Sequence, residues 1–346
     1  MGQSGFRRNL KEIKMKLISY ACRALIVCLL ASTNVALAAY PERPIKLLVG
    51  FTAGGATDAI ARFYAMKLNT ILKQPVIVEN RGGAYQLVAI RALMSAKPDG
   101  YTLFIGTASA MSQDIGFKDQ LPFSLPYDPL KDFTNIALVG TTQGVLIASK
   151  SIPVTSVAEL IKYAKQNPGK LNYGSSGIGS ASHLQMEYLS ALTGIKMTHI
   201  PYHSTGEILT SIAQGSVQLG LSEAEGSIPA VRAGLARPLG VTGNKRLEAL
   251  PDVPTLSQTG FPNLGNIDPL TYYVLVGPKG MSKDIVDKLN SAINTVSKMP
   301  ETITYMHRQD YEPAVSTPAS TQAFIEKDSA KWRAVSKQIK LDLGNK

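Results

Sequence analysis

Ile45 to Phe51 is an apolar run of strand length, and it leads without a gap into Thr52, Ala53, Gly54, Gly55, Ala56, Thr57 and Asp58. An amphipathic run from Ala59 to Leu72 follows, with Thr57 or Asp58 placed to cap it. A strand that turns on two glycines straight into a helix leaves few folds open. It also aims free N–H groups and the positive end of a helix dipole at one point, which is a ready site for a carboxylate or phosphate.

The same unit recurs. Pro75 to Glu79 reads as a strand ending in the turn from Asn80 to Tyr85, with a helix from about Gln86 to Ala96. Tyr101 to Ile105 reads as a strand ending in Gly106, Thr107, Ala108 and Ser109. Alternating strands and helices, with Gly, Ser and Thr after the strands, predict an α/β fold of doubly wound sheets flanked by helices. Ligands of such sheets sit outside the carboxyl ends of the strands.

A Pro-rich connection from Leu121 to Asp132 precedes two apolar runs between Ile136 and Ser149, broken at Thr141 to Gly144. This reads as a crossing into a second lobe. That lobe repeats the pattern: a helix from Val157 to Gln166 capped by Ser156, and a strand from Leu171 to Gly174. Then come the loop Ser175 to Ser182 and a helix from His183 to Thr193. Strands follow at Met197 to Tyr202, Val217 to Leu221 and Ala236 to Thr242, with helices to Gln214 and at Ile228 to Ala233. Tyr272 to Gly277 reads as a strand returning to the first lobe, packed by helices at Ser282 to Lys298 and Ala319 to Ile339. The expected organisation is a signal peptide over 1–38, a first lobe over 39–140 and 266–346, and a second lobe over 141–265. The expected fold is two-lobed, with a ligand cleft between lobes that hinge at the crossings.

The signal peptide rests on a basic segment (Arg7, Arg8, Lys11, Lys14, Lys16, Arg23), an apolar core from Ala24 to Ala31, and small residues up to Ala38. That core is too short to span a bilayer. Both cysteines, Cys22 and Cys28, fall inside the segment, so an exported chain would rely on its core for stability and not on disulfides. Much of the net charge of +11 also lies there, leaving a mildly basic remainder. Basic runs interleaved with aromatics are missing, and no nucleic-acid partner is expected.

The glycine turns do not follow the G-x-G-x-x-G order or end in Lys-Ser/Thr, so neither a dinucleotide nor a nucleotide phosphate loop is expected, nor any other cofactor. His199 and His203 flank Pro201 in a strand-like run, and they lack the shared helical face and third ligand of a metal site. Gly174 and Gly177 are three apart, which departs from G-x-S-x-G, and nothing pairs a base with the neighbouring serines. The serines of the loop either cap a helix or form a second anion cradle facing the first. His183 either braces that loop or touches ligand.

Several motifs carry a family resemblance: Tyr40 to Lys46, Gly54 to Asp58, Val78 to Arg81, Pro98 to Leu103, Pro168 to Gly177, Ile200 to Tyr202 and Leu250 to Thr255. In this order they resemble the periplasmic solute receptors of tripartite tricarboxylate transporters, the Bug family. The resemblance implies a periplasmic, non-enzymatic receptor that closes on a small carboxylate and delivers it to membrane permease subunits. A monomer is the expected state, since a free receptor presents one closed cleft to its partner. The site it implies is Phe51, Thr52, Ala53, Gly54, Gly55, Ala56, Thr57 and Asp58, with Gly106, Thr107, Ala108 and Ser109. The second lobe adds Ser175, Ser176, Gly177, Ser180, Ser182, Ser204 and Thr205. Four departures bear on the ligand: Thr52 and Ala53 where Pro is usual, Tyr85 and Gln86 in place of Gly-Gly, Ser222 and Glu223 in place of Asp-Asn, and His203 in place of Lys. Tyr85, His203, Ser222 and Glu223 therefore join the candidate site. Tyr85, Tyr202 and His203 favour an aromatic acid, with a dicarboxylate as the other expectation. An exported enzyme using Glu223, Glu225 and His203, or a ligand sensor, are the alternatives.

Overall fold

The computed structural model describes residues 40–341 apart from Phe123, His203 and Asp268. The expected signal peptide lies outside the described residues. From Arg43 onward the chain forms one compact unit built on two sheets.

The first sheet begins with β1 (Ile45–Val49), whose alternation is lost because both faces are covered. β1 pairs in parallel with β2 (Val76–Asn80) and with β3 (Thr102–Thr107). Between them run α1 (Ala56–Leu72) and α2 (Leu87–Met94). In α1, Ile60, Ala61, Tyr64, Ala65, Leu68 and Leu72 recur at three- and four-residue spacing and are buried. α1 stops where Lys73 takes a left-handed conformation (φ 53°).

β4 (Phe133–Thr142) completes one crossing: a single residue, Gln143, separates it from β5 (Gly144–Ala148), which opens the second sheet. That sheet has the order β7-β6-β8-β5-β9, from β6 (Asn172–Ser175), β7 (Thr198–Pro201), β8 (Leu219–Glu223) and β9 (Arg237–Val241). Its helices are α3 (Val157–Gln166), α4 (Ala181–Thr193), α5 (Thr205–Gln214) and α6 (Ala224–Arg232). The chain returns with β10 (Thr271–Pro278), which inserts antiparallel between β3 and β4. α7 (Lys283–Lys298), α8 (Pro300–Arg308), β11 (Tyr311–Pro313) and α9 (Pro318–Ser336) follow. The first sheet thus has the order β11-β4-β10-β3-β1-β2.

Both sheets are mixed. β10 in one and β5 in the other run antiparallel to both neighbours, because these are the strands that carry the chain across. α8 and β11 were not expected from the sequence, where this stretch reads only as charged. α9 also does more than pack on the first sheet. Phe324 meets Tyr272 edge-on at 4.9 Å, while Trp332 packs at 5.9 Å against Tyr188 of α4 in the second layer system. Trp332 and Phe117 are fully buried there.

Candidate functional site

The β1–α1 turn differs from its sequence reading in one respect. α1 starts at Ala56 with Gly55 as its N-cap, so neither Thr57 nor Asp58 caps it. Asp58 is the third helical residue and folds back past the cap to accept the Gly54 N–H at 2.9 Å. It also accepts from Arg62 Nε and from Asn80 Nδ2, each at 2.9 Å. Burial alone would raise the Asp58 carboxyl; these bonds and the Arg62 charge outweigh it and hold Asp58 below the usual carboxylate range. Gly54 is at φ 90°, open to glycine without strain. The result is a tied loop in which the Gly54 N–H is spent, while the first helical turn, at Ala56 and Thr57, offers N–H groups without intrahelical acceptors.

Phe51, Thr52, Gly54, Gly55, Ala56 and Thr57 line a cavity of about 480 Å³. The turn between β2 and α2 adds Tyr85 and Gln86, both in left-handed conformations, at φ 55° and 68°. Such conformations cost roughly 1–2 kcal/mol per residue outside glycine. Gln86 offsets part of that strain. Its Nε2 donates to Thr107 Oγ1 and to Ser109 Oγ, each at 3.0 Å, and so presents both hydroxyls at the cavity wall. Gln86 is buried, whereas Tyr85 stands at the cavity with 42% exposure.

The second sheet faces this wall with two more helix starts. Ser180 caps α4, accepting from the His183 N–H, and Ser204 caps α5, accepting from the Glu207 N–H. Ser176, Gly179, Ser180 and Ala181 line the cavity from the first, and Ser204, Thr205 and Gly206 from the second. Within the loop, Ser182 Oγ accepts the Ser176 N–H at 3.1 Å and Ser180 Oγ donates to the Gly177 carbonyl at 2.7 Å. His183 Nδ1 accepts the Gly179 N–H at 3.1 Å, and the ring is fully buried. His183 therefore braces the loop. Three helix N-termini, each equivalent to roughly half a positive charge, converge on one cavity.

Ala53, Asp58, Gly106, Ala108, Ser175, Gly177, Ser182 and Ser222 do not line it. Asp58 and Ser182 are spent on loop bonds, Ala108 packs in the core, and Gly106 lies against Met111. Gly177 is the acceptor for the Ser175 and Ser180 hydroxyls. Ser222 points away because side chains alternate along β8, which gives the cavity to Glu223 instead. His203 lies outside the described residues. Gln86, Asp114, Ile178, Gly179, Ala181, Gly206, Gly226 and Thr271 line the cavity without having been candidate site residues, and Glu225, a candidate only for the enzyme alternative, lines it too.

Ser175 has a base after all: its Oγ lies 2.6 Å from His199 Nε2. The two sit on neighbouring strands, a pairing that spacing alone does not reveal. His199 packs against His183 at 4.0 Å and Tyr173 at 5.1 Å. Ser175 and His199 are both fully buried, so no substrate reaches this hydroxyl. Its chemistry is that of a satisfied core polar pair.

At the far corner, Glu223 and Glu225 open α6. Tyr273 and Tyr311 reach them from the first sheet: Tyr311 donates to Glu225 at 2.6 Å, and the two hydroxyls approach Glu223 Oε2 at 3.4 and 3.5 Å. Burial, with the Glu225 charge beside it, pushes the Glu223 carboxyl up to about 7. Burial also raises Asp114 well above its ordinary value.

A second cavity of about 480 Å³ lies by Arg232, Glu248, Arg308 and Asp310. It has two arginines but sits at the C-terminal ends of α6 and α8, where the helix dipoles are negative. The first cavity suits an anion better.

Residues 60–341 match the model of the tripartite tricarboxylate transporter family receptor. A UPF0065 protein of Bordetella pertussis is 35% identical over 303 residues, which is 88% of this chain and 91% of that protein. The solved structure of R. palustris Rpa4515 with adipate has a TM-score of 0.77 at 33% identity, covering 86% of this chain and 98% of that one. MatC from Rhodopseudomonas palustris with bound malate has a TM-score of 0.75 at 27% identity, covering 86% and 100%.

Proposed function

Since the chain belongs to the tripartite tricarboxylate transporter receptor family, we propose that it is a periplasmic receptor that captures a small organic carboxylate between its two sheets. It then hands the ligand to the membrane subunits of a transporter. The observation that carries this reading is the convergence of the α1, α4 and α5 N-termini on one cavity. A carboxylate placed there accepts from backbone N–H groups of the α1 turn and from the hydroxyls of Thr57, Ser204 and Thr205. Charge-assisted hydrogen bonds contribute roughly 1.5–3 kcal/mol each. Four or five of them, less the cost of ordering, reach the roughly −8 kcal/mol of micromolar binding. No arginine or lysine is required.

Related receptors with adipate or malate support the ligand class. The single-residue crossing at Gln143 and the return before β10 supply hinges for closure. Tyr85, held at the cavity in a costly backbone conformation, is placed to stack on a ring or to narrow the cleft.

A thermal-shift screen of organic acids against their own amides tests the reading. Ligand at a hundred times its dissociation constant adds about 2.7 kcal/mol and raises the midpoint by a few degrees. A rise for an acid without one for its amide supports the carboxylate. Equal shifts for both, or none for any acid, overturn it.

A further inference from the structure

Gln86, Thr107 and Ser109 close a triangle in the cavity wall. Gln86 Nε2 lies 3.0 Å from Thr107 Oγ1 and 3.0 Å from Ser109 Oγ, and the two hydroxyl oxygens lie 3.0 Å from each other. All are buried, and all line the carboxylate cavity. A hydroxyl brings one proton and two lone pairs, whereas an amide nitrogen brings two protons and accepts nothing. Gln86 therefore fills one lone pair on each oxygen, and one hydroxyl proton fills another between Thr107 and Ser109. The second hydroxyl proton is left over. Thr107 Oγ1 lies 3.4 Å from Gln86 Oε1, beyond the roughly 2.5–3.0 Å of an O–H···O bond. Among the described residues no other group accepts from either hydroxyl. The spare proton is thus available to the cavity.

The amide is pinned from behind. Gln86 is 3% exposed and held at φ 68°. A Cβ at Gly50, the residue after β1, would come within 2.6 Å of Gln86 Cβ and 2.7 Å of its Cγ, so glycine there leaves the room that this side chain fills. Strained backbone persists only where its surroundings over-determine it, and it clusters at ligand sites. The amide also changes what the wall offers. Without it, the two hydroxyls bonded to each other keep three lone pairs open beside one free proton, and the wall accepts more readily than it donates. With it, a single lone pair stays open beside that proton.

Resting on the carboxylate reading above, we infer that Gln86 is a positioning residue for ligand specificity: its amide fixes the Thr107–Ser109 pair as an O–H donor. Through that donor the cleft favours a carboxylate, whose oxygens only accept, over the matching amide, whose NH2 finds a single lone pair. Both Nε2 hydrogens of Gln86 are spent on the hydroxyls, so Gln86 acts through them and not by touching ligand.

A double-mutant cycle tests this by isothermal titration of the purified protein with adipate, malate, citrate, benzoate and terephthalate, each beside its amide. Gln86→Leu is made in the native chain and in a chain that carries Thr107→Val with Ser109→Ala, and melting curves confirm that each variant folds. In the native chain Gln86→Leu is expected to weaken the tightest acid about tenfold and to narrow its advantage over the amide. In the chain without the hydroxyls the same substitution is expected to change acid affinity by less than about twofold. Should Gln86→Leu fail to fold, the isosteric Gln86→Glu replaces it. Its carboxylate takes both hydroxyl protons, so its effect on acid binding is expected to shrink about fivefold or more once the hydroxyls are gone. Equal losses with and without the hydroxyls, or acid and amide weakened alike, overturn the positioning role and leave the receptor standing. So does an acid affinity that holds or rises in Gln86→Leu, since the amide would then be taking the hydroxyl protons itself. Absence of binding by every acid to the wild type overturns the receptor reading itself.

Discussion

Glu223→Gln should make this protein more stable at alkaline pH and leave it nearly unchanged in acid. Glu223 is held between Tyr273, Tyr311 and the neighbouring Glu225, and its carboxyl lies at about 7 instead of 4.5. The unfolded chain releases this proton near 4.5, whereas the folded protein keeps it until about 7. Between those values the native state binds more protons, so stability falls as pH rises. Each unit of separation is worth about 1.4 kcal/mol, which makes the loss from this residue about 3 kcal/mol by pH 8. Glutamine carries no charge and keeps an acceptor for the tyrosines. Urea unfolding of both proteins from pH 4.5 to 8.5 gives the difference curve, in which groups common to both cancel. The difference should be near zero at pH 4.5 and should grow in favour of the variant to about 3 kcal/mol above pH 7. A flat difference, or one favouring the wild type at pH 8, would refute a half-buried and protonatable Glu223.

Three further substitutions probe the frame of the site. Asp58→Ala removes the tie among Gly54, Arg62 and Asn80. Denaturant titration should show a loss of about 2 kcal/mol, and acid affinity should fall with it; an unchanged affinity would show that the loop holds its shape unaided. Tyr85→Gly relieves a left-handed tyrosine at φ 55°. The strain released, roughly 1–2 kcal/mol, is offset by about 0.5–1 kcal/mol of glycine entropy. The melting point should therefore hold or rise while affinity drops, and a large fall in melting point would contradict the strain. Ser175→Ala removes the buried hydrogen bond between Ser175 Oγ and His199 Nε2, at a cost of about 1–3 kcal/mol. Ligand affinity should stay within about twofold, and any ester hydrolysis by the wild type that vanished in the variant would contradict a structural pair.

How much of this was legible in the sequence depended on whether the information was local. The strand–turn–helix order is written in apolar periodicity, and Ser156 caps α3 as its position suggests, accepting from the Glu159 N–H. Gly55 replaced Thr57 and Asp58 as the α1 cap because Asp58 was needed to hold Gly54. What failed was non-local. β11 is three residues long and exists only through pairing with β4, so no periodicity announces it. The Ser175–His199 contact requires the β6–β7 register. Asp114 and Thr271 reach the cavity from a short helical segment after β3 and from the first residue of β10. Ser222 and Glu223 are adjacent, and only the phase of β8 decides which one faces the cleft.

The most direct test of the carboxylate cradle is a backbone amide chemical-shift titration with the tightest acid from the screen. Saturable downfield shifts are expected at Ala56 and Thr57 of α1, with companions at Ala181 and Thr205 on the facing helices, and no such response to the matching amide. Shifts centred instead on Arg232, Arg308 and Asp310, with the α1 turn silent, would place the anion in the other cavity and contradict the cradle.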